Sequence, residues 1–185
     1  TGVQTCALPI LVALWEVRRN DGGRVRLSGQ AYQQQGRLAG MLIAGADALL
    51  ASVERARPGH GRTAALELLL GLVHIQPDGR HSRRRISREE AVAIAGRGDE
   101  PLGEFVLRRL AGERPEGMPS NAATPVMRLV TLSRNALPEE GEATQVDLIH
   151  ETLIRDRGGT GRGDAVPYWP TLHAYIDANQ IGRAH

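Results

Sequence analysis

The stretch that most constrains this chain is V-D-L-I-H-E-T-L-I-R, residues 146–155. Val146 and Leu148 alternate with Asp147, the period-two spacing of a half-buried strand, and that run ends at His150. From Glu151 the period lengthens, and Leu153 and Ile154 suit a helix instead. His150 therefore falls at a strand-to-helix junction, where a side chain is held rigidly and can be aimed. The ordinary role for a polar residue there is to bond the local backbone at the helix start. A sensing or binding role is the alternative, and the rest of the chain decides between them.

Residues 1–10 (T-G-V-Q-T-C-A-L-P-I) and 181–185 (I-G-R-A-H) resemble translated sequencing-library adapter. Fold reasoning is therefore confined to 11–180, expected to be a fragment of a longer open reading frame. The only cysteine, Cys6, lies in the adapter-like part, so 11–180 offers neither a disulfide framework nor a thiolate metal site. No targeting segment is assigned: the apolar run at 7–15 lacks preceding charge, and no run is long enough to span a bilayer. A cytoplasmic protein without membrane contact is the expectation. A chain of this size buries about 70% of its unfolded surface, enough for one sizeable core or two small ones.

All 23 basic residues are Arg, with no Lys anywhere. A Walker phosphate loop, a Schiff-base enzyme and a Lys general base each need that amine, so this chain can contain none of them. The net charge of +2 is spread along the chain and argues only weakly for nucleic acid. No Gly-x-Ser-x-Gly, His-Glu-x-x-His or carboxylate pair points to hydrolysis.

Along the chain, 11–19 reads as the tail of an apolar helix, ended by the turn Asn20-Asp21-Gly22-Gly23. Val25-Arg26-Leu27 is an extended link, and Ser28 can cap a short helix. Leu38, Met41, Leu42, Ala46, Leu49, Leu50 and Val53 then form one helical stripe, the pattern of a core-facing helix. The run Arg57-Pro58-Gly59-His60-Gly61 breaks the chain at a subdomain boundary. Beyond it, Leu66, Leu69, Leu70 and Val73 mark a first helix, followed by an exposed basic loop with Arg80 and Arg83-Arg84-Arg85. A capping box, Ser87 with Glu90, opens the second helix, and Pro101 sits in the first turn of a third that stops at Gly112. Residues 126–133 are strand-like, 135–143 a polar turn and 144–149 a returning strand. Residues 156–167 are glycine-rich and nearly devoid of apolar side chains, a flexible insertion, before a closing helix with Trp169, Leu172 and Ile176 on one face.

The expected fold is mainly α (α+β): a helical subdomain over 11–57, then a winged-helix subdomain over 62–156 with a two-stranded wing. A Gly-rich insertion over 157–167 and a closing helix over 168–180 follow.

Three pieces carry a resemblance: W-E-V-R-R before a Gly turn, H-E-T-L-I-R, and W-P-T-L-H-A-Y-I-D. In this order they resemble the region just after the nucleotide-binding core in bacterial STAND-class NTPases, signalling ATPases related to NACHT and plant resistance proteins. The resemblance implies a helical subdomain and a winged helix that lead to β-propeller or other repeats. It also implies ATP or ADP with Mg in the parent but no cofactor in this segment. Its partners would be its own upstream NTPase core and downstream repeats, with oligomerisation as a further property of the parent. His150 matches the histidine of the Met-His-Asp motif in the related resistance proteins, with Ile149 and Glu151 as its neighbours. There the histidine reaches the β-phosphate of bound ADP and holds the molecule closed. An imidazole N–H is a good donor to a phosphate oxygen. In the family His-Glu-x-Leu-Ile-Arg runs straight into Trp-Pro, whereas here 156–168 intervene.

Other candidates have ordinary explanations. Arg83-Arg84-Arg85 could contact phosphates, but three arginines before a helix are more often a solvated loop. His74 reads as a partly buried structural residue at a helix end. His60, His81 and His173 show no spacing that would join them at zinc. The function expected is a regulatory, non-catalytic part of a STAND-type NTPase that senses the nucleotide state of the core through His150. The alternative is a stand-alone winged-helix DNA-binding transcription regulator. Against that alternative, the third helix opens with Asp99, Glu100 and Glu104, and the wing carries Glu139, Glu140 and Glu142.

Overall fold

The computed structural model describes residues 19–21, 24–26, 37–76, 80–114, 127–137, 141–157 and 166–181. The helix tail expected at 11–18 and the short helix after Ser28 lie outside these residues. A small antiparallel pair comes first, β1 (Arg19–Asp21) and β2 (Arg24–Arg26), with Asn20 opposite Val25. Asn20 and Asp21, expected in a turn, are therefore strand, and 22–23 lie outside the described residues.

The long helix α1 (Arg37–Ala56) follows the expected stripe: Ala46, Leu49, Leu50 and Val53 are buried, and Leu42 packs at their edge. Each fully buried Leu is worth roughly 1.5–3 kcal/mol of transfer free energy. The break at 57–60 is a tight turn clasped by one side chain. Glu54 accepts from the Gly59 amide at 2.6 Å and the Arg62 amide at 2.8 Å, which satisfies donors that open α2 (Gly61–Gly71). Gly61 is buried here, and a Cβ on it would lie 2.4 Å from the Val53 carbonyl oxygen. The buried cluster runs across this turn, from Leu50 and Val53 to Leu68, Leu69 and Leu72.

Beyond Gly71 the structure departs from expectation. Val73 does not extend the helix. It opens a hairpin of β3 (Val73–Ile75) with β4 (His81–Arg83), in which His74 faces Ser82 and Ile75 faces His81. Part of the expected basic loop is therefore strand, and His74 is exposed rather than partly buried. β-Branched Val73 and Ile75 flank a polar residue, a strand pattern too short to outweigh the leucine periodicity before it. A two-residue strand, β5 (Ile86–Ser87), then leads into α3 (Arg88–Gly96). Ser87 caps that helix as expected, its hydroxyl accepting from the Glu90 amide at 3.0 Å. The Glu90 carboxylate bonds Arg84, 2.8 Å away.

Asp99 caps α4 (Glu100–Leu110) by accepting from Leu102 N, and Gly112 lies just past its end. Gly103 permits the close crossing of α3 and α4, since a Cβ there would sit 2.2 Å from the Val92 carbonyl oxygen. The strands β6 (Val130–Leu137) and β7 (Gly141–Leu148) pair in register, Val130 opposite Leu148 and Leu137 opposite Gly141. Residues 135–137 and 141–143 of the expected turn are therefore strand, and the rest of it lies outside the described residues. β5 completes a sheet of order β5-β7-β6, Ile86 opposite Val146. From Gly61 to Leu148 the elements run one helix, three short strands, two helices and two long strands, and α3 packs on the β5-β7-β6 sheet.

The helix expected from Glu151 is a single 3-10 turn, Glu151–Ile154, because Arg155 returns to extended backbone (φ −97°, ψ 161°). Residues 156–167 are closed at their base. β8 (Asp156–Arg157) pairs with β9 (Val166–Pro167), and the Tyr168 amide donates to the Arg155 carbonyl at 3.0 Å. This stem brings Trp169 back beside the turn that carries Leu153. Trp169 is wholly buried and its Nε1 donates to Asp47 Oδ1 at 2.9 Å. Helix α5 (Pro170–Ile181) then buries Leu172 and Ile176 on the expected face. The fold is α+β, mixed helical with small antiparallel sheets.

Replacing Ser87 by Ala removes the cap of α3 and should lower stability by about 1 kcal/mol. Urea denaturation should show the loss as a shifted midpoint at unchanged slope, and a shift near zero would show the capping bond contributes nothing.

Candidate functional site

The site grows from the end of β7. The Ile149 amide donates to the Leu129 carbonyl at 3.0 Å, which pins the strand end. His150 follows in extended conformation (φ −134°, ψ 122°) as the residue before the 3-10 turn. Its carbonyl accepts from the Leu153 amide at 3.2 Å, while its imidazole makes no capping bond to the turn. The side chain is therefore not used as a helix cap. It is half-buried, and burial, followed by the nearby Arg83 guanidinium, holds its pKa below the ordinary 6.5. A ring in that state is neutral near pH 7 and carries one N–H donor.

The three consecutive arginines are each engaged with a different acceptor. Arg83 Nη1 donates to the Leu148 carbonyl at 3.3 Å and lies 3.6 Å from Asp147 Oδ2. Arg85 Nε donates to the same carboxylate oxygen at 3.0 Å, and Arg84 pairs outward with Glu90. Asp147 does lie opposite Val146 and Leu148 in the strand alternation, yet it is only 5% exposed. The arginines cover it, their own side chains staying 39% and 66% exposed. A buried carboxylate is tolerable when cations meet it this way. Its Oδ1 is buried with no hydrogen bond among the described residues.

The histidines divide. His60 precedes α2 and is exposed without a side-chain capping bond. His81 and His173, distant in sequence, meet with ring centroids 5.2 Å apart and planes tilted by 57°. His173 is 6% exposed. Among the described residues no three His, Cys, Asp or Glu side chains gather as metal ligands. The sequence carried no sign of the His81–His173 meeting, since β4 was read as loop. Recognising His81-Ser82-Arg83 as a strand would have placed His81 and Arg83 on one face.

A second polar junction went unforeseen. Glu67 on α2 accepts from both the Tyr175 hydroxyl on α5 and Arg97 at the end of α3. Burial first, then the Glu67 hydrogen bond, pushes the Tyr175 hydroxyl up to about 12. On α4, Arg109 is buried, donating to Ser52 Oγ at 2.9 Å and the Glu113 carbonyl at 2.7 Å. Arg108 pairs with the Glu113 carboxylate, and Arg88 with Glu104 at 2.7 Å.

The family model described as Novel STAND NTPase 1 matches residues 4–184. No curated protein and no solved structure matches the chain.

A lowered imidazole pKa fixes the sign of a pH effect. Below pH 6.5 the unfolded ring takes up a proton that the folded ring resists. The contribution of His150 is therefore complete above that pH and is lost as the pH falls through the lower folded value. His150→Gln should weaken the fall in stability between about pH 7 and 5 in urea denaturation series. Equal pH slopes for the two proteins would show that His150 does not resist protonation.

Proposed function

The chain belongs to the novel STAND NTPase 1 family, and from that premise we propose that it is a regulatory, non-catalytic region acting beside the family's nucleotide-binding core. Residues 62–156 act as a winged helix that senses whether the core holds ATP or ADP. The helix pair α3 and α4 followed by the antiparallel strands β6 and β7, together with the sheet order β5-β7-β6, supports the winged-helix reading. With no Lys, the chain has no phosphate loop of its own, so nucleotide and Mg belong to the core.

The observation that carries the proposal is the state of His150. It is fixed at a strand end, unused as a cap, and kept neutral as a hydrogen-bond donor. Such a donor suits the β-phosphate of ADP in a closed arrangement. The contact biases a two-state domain arrangement only by the difference in its strength between the two states. The signal has a physical route outward. β4 joins the neighbourhood of His150, through Arg83, to α5, through the His81–His173 ring contact. α5 is also tied to the rest of the chain by Trp169–Asp47 and Tyr175–Glu67. α5 would pass the change to downstream repeats in the cytoplasm. No helix among the described residues is long and apolar enough to cross a membrane.

The DNA-binding alternative is disfavoured by the fate of the arginines on the second and third helices. On the third, Arg109 is buried and Arg108 is engaged with a carboxylate, and Arg88 on the second is likewise engaged. Fluorescence anisotropy should give no salt-sensitive duplex binding at micromolar protein, and a tight, salt-sensitive signal would revive that alternative.

In the protein that carries both this region and its core, His150→Ala should remove a bond worth about 1.5–3 kcal/mol. ADP should then leave roughly ten- to a hundredfold faster. An unchanged ADP dissociation rate would remove His150 from the sensor role. The 185-residue chain alone should release no phosphate from ATP above buffer, and measured turnover would sink its non-catalytic assignment.

A further inference from the structure

Arg83 stands apart from its two neighbours. Arg84 turns out to Glu90, and Arg85 gives its Nε to Asp147 over a normal hydrogen-bond distance, 3.0 Å. Among the described residues Arg83 is held by one nitrogen only. Its Nη1 reaches the Leu148 carbonyl at 3.3 Å, and Asp147 at 3.6 Å attracts it without forming a hydrogen bond. Nη2 and Nε make no hydrogen bond among the described residues. The anchor point, Leu148, is two residues before His150, and β4 packs directly beside the 3-10 turn that His150 opens. The guanidinium is close enough to oppose protonation of that ring.

The carboxylate beneath it is unusual too. Asp147 is nine-tenths buried, and its Oδ1 has no donor, although two guanidinium groups lie against Oδ2. A guanidinium can grip both oxygens of a carboxylate in a fork, and neither arginine does so. Asp147 is thus a counter-charge that keeps Arg83 in place without occupying its fork. A fork left open beside an imidazole donor fits an oxyanion with several acceptor oxygens, and a phosphate group is one.

We propose that Arg83 is a second phosphate-binding group, gripping the terminal phosphate of a nucleoside diphosphate together with His150. The inference rests on the reading of His150 as the phosphate contact. Its fork would bind two oxygens where His150 binds one, so Arg83 supplies the charge and His150 the directional donor. Asp147 offsets only one of the two guanidinium charges against it, so the cluster keeps a net positive charge when no phosphate is present. The pairing also makes the grip specific for a doubly charged terminal phosphate over a neutral hydroxyl.

The test uses the protein with its core and bound ADP, comparing Arg83→Ala, Arg83→Lys, Arg85→Ala and His150→Ala. ADP release is followed by displacement of a fluorescent ADP, and melting is recorded with and without ADP. Arg83→Ala should speed release on the order of tenfold and shrink the ADP-dependent melting shift, with Arg83→Lys restoring part of both. Arg85→Ala removes the same charge and the same Asp147 partner, yet should leave release within about twofold. If Arg83→Ala lowers melting equally with and without ADP and leaves release unchanged while His150→Ala accelerates it, Arg83 is only structural and the proposal fails with the sensor reading intact. Equal acceleration by Arg85→Ala would reduce the effect to general charge and likewise overturn it. No acceleration in either Arg83→Ala or His150→Ala would overturn the sensor reading itself.

Discussion

The pairing of Ile86 with Val146 holds the functional region together. β5 has only two residues, yet it sets its own strand against the middle of β7 and so aligns everything on either side. The residues just before it, Arg83 and Arg85, are carried over the Asp147 side of β7. The second residue of β5, Ser87, is placed to start α3. Both paired side chains are buried, which makes a one-residue slip costly: it would turn Ile86 and Val146 to the wrong face. The position of His150 relative to the arginines follows from that register.

The second organising contact is Trp169. Residues 156–167 lengthen the chain between the 3-10 turn and the last helix, but the β8–β9 stem returns the chain to where it left. Trp169 then enters the common core fully, with its indole N–H satisfied by Asp47 of α1. A buried indole without an acceptor would forfeit much of what its area contributes. Because α1, α2 and the 3-10 turn all adjoin α5 or the residues leading into it, a displacement near His150 has a packed path to the C-terminal helix. Packed interiors transmit such shifts because they have little slack.

A chain whose cations are all arginine uses them as structural forks as much as surface charge. Arg109 crosses from α4 to Ser52 on α1, Arg97 reaches Glu67, and Arg85 covers Asp147. Each is a planar donor; Arg109 is buried, while Arg97 and Arg85 reach their carboxylates from the surface. Arg83 is the exception, held among the described residues by one nitrogen near His150.

What was legible in the sequence is what depends on local period and local chemistry. The stripe from Leu42 to Val53, the Ser87 cap, Pro101 and Gly112 around α4, and the shared face of Trp169, Leu172 and Ile176 all stand where their spacing put them. His150 at a strand end was legible for the same reason. The α+β class followed from these elements together. What was not legible needed a partner distant in the chain. β3, β4 and β5 are three, three and two residues long, too short to show a period, and exist because other strands pair with them. The 3-10 turn replaced a helix because the chain had to re-enter a pairing at Asp156. Asp147 looked like a solvent-facing residue by alternation and was buried by arginines far earlier in the sequence. Periodicity reports which face of an element is apolar; only tertiary structure decides what covers the other face.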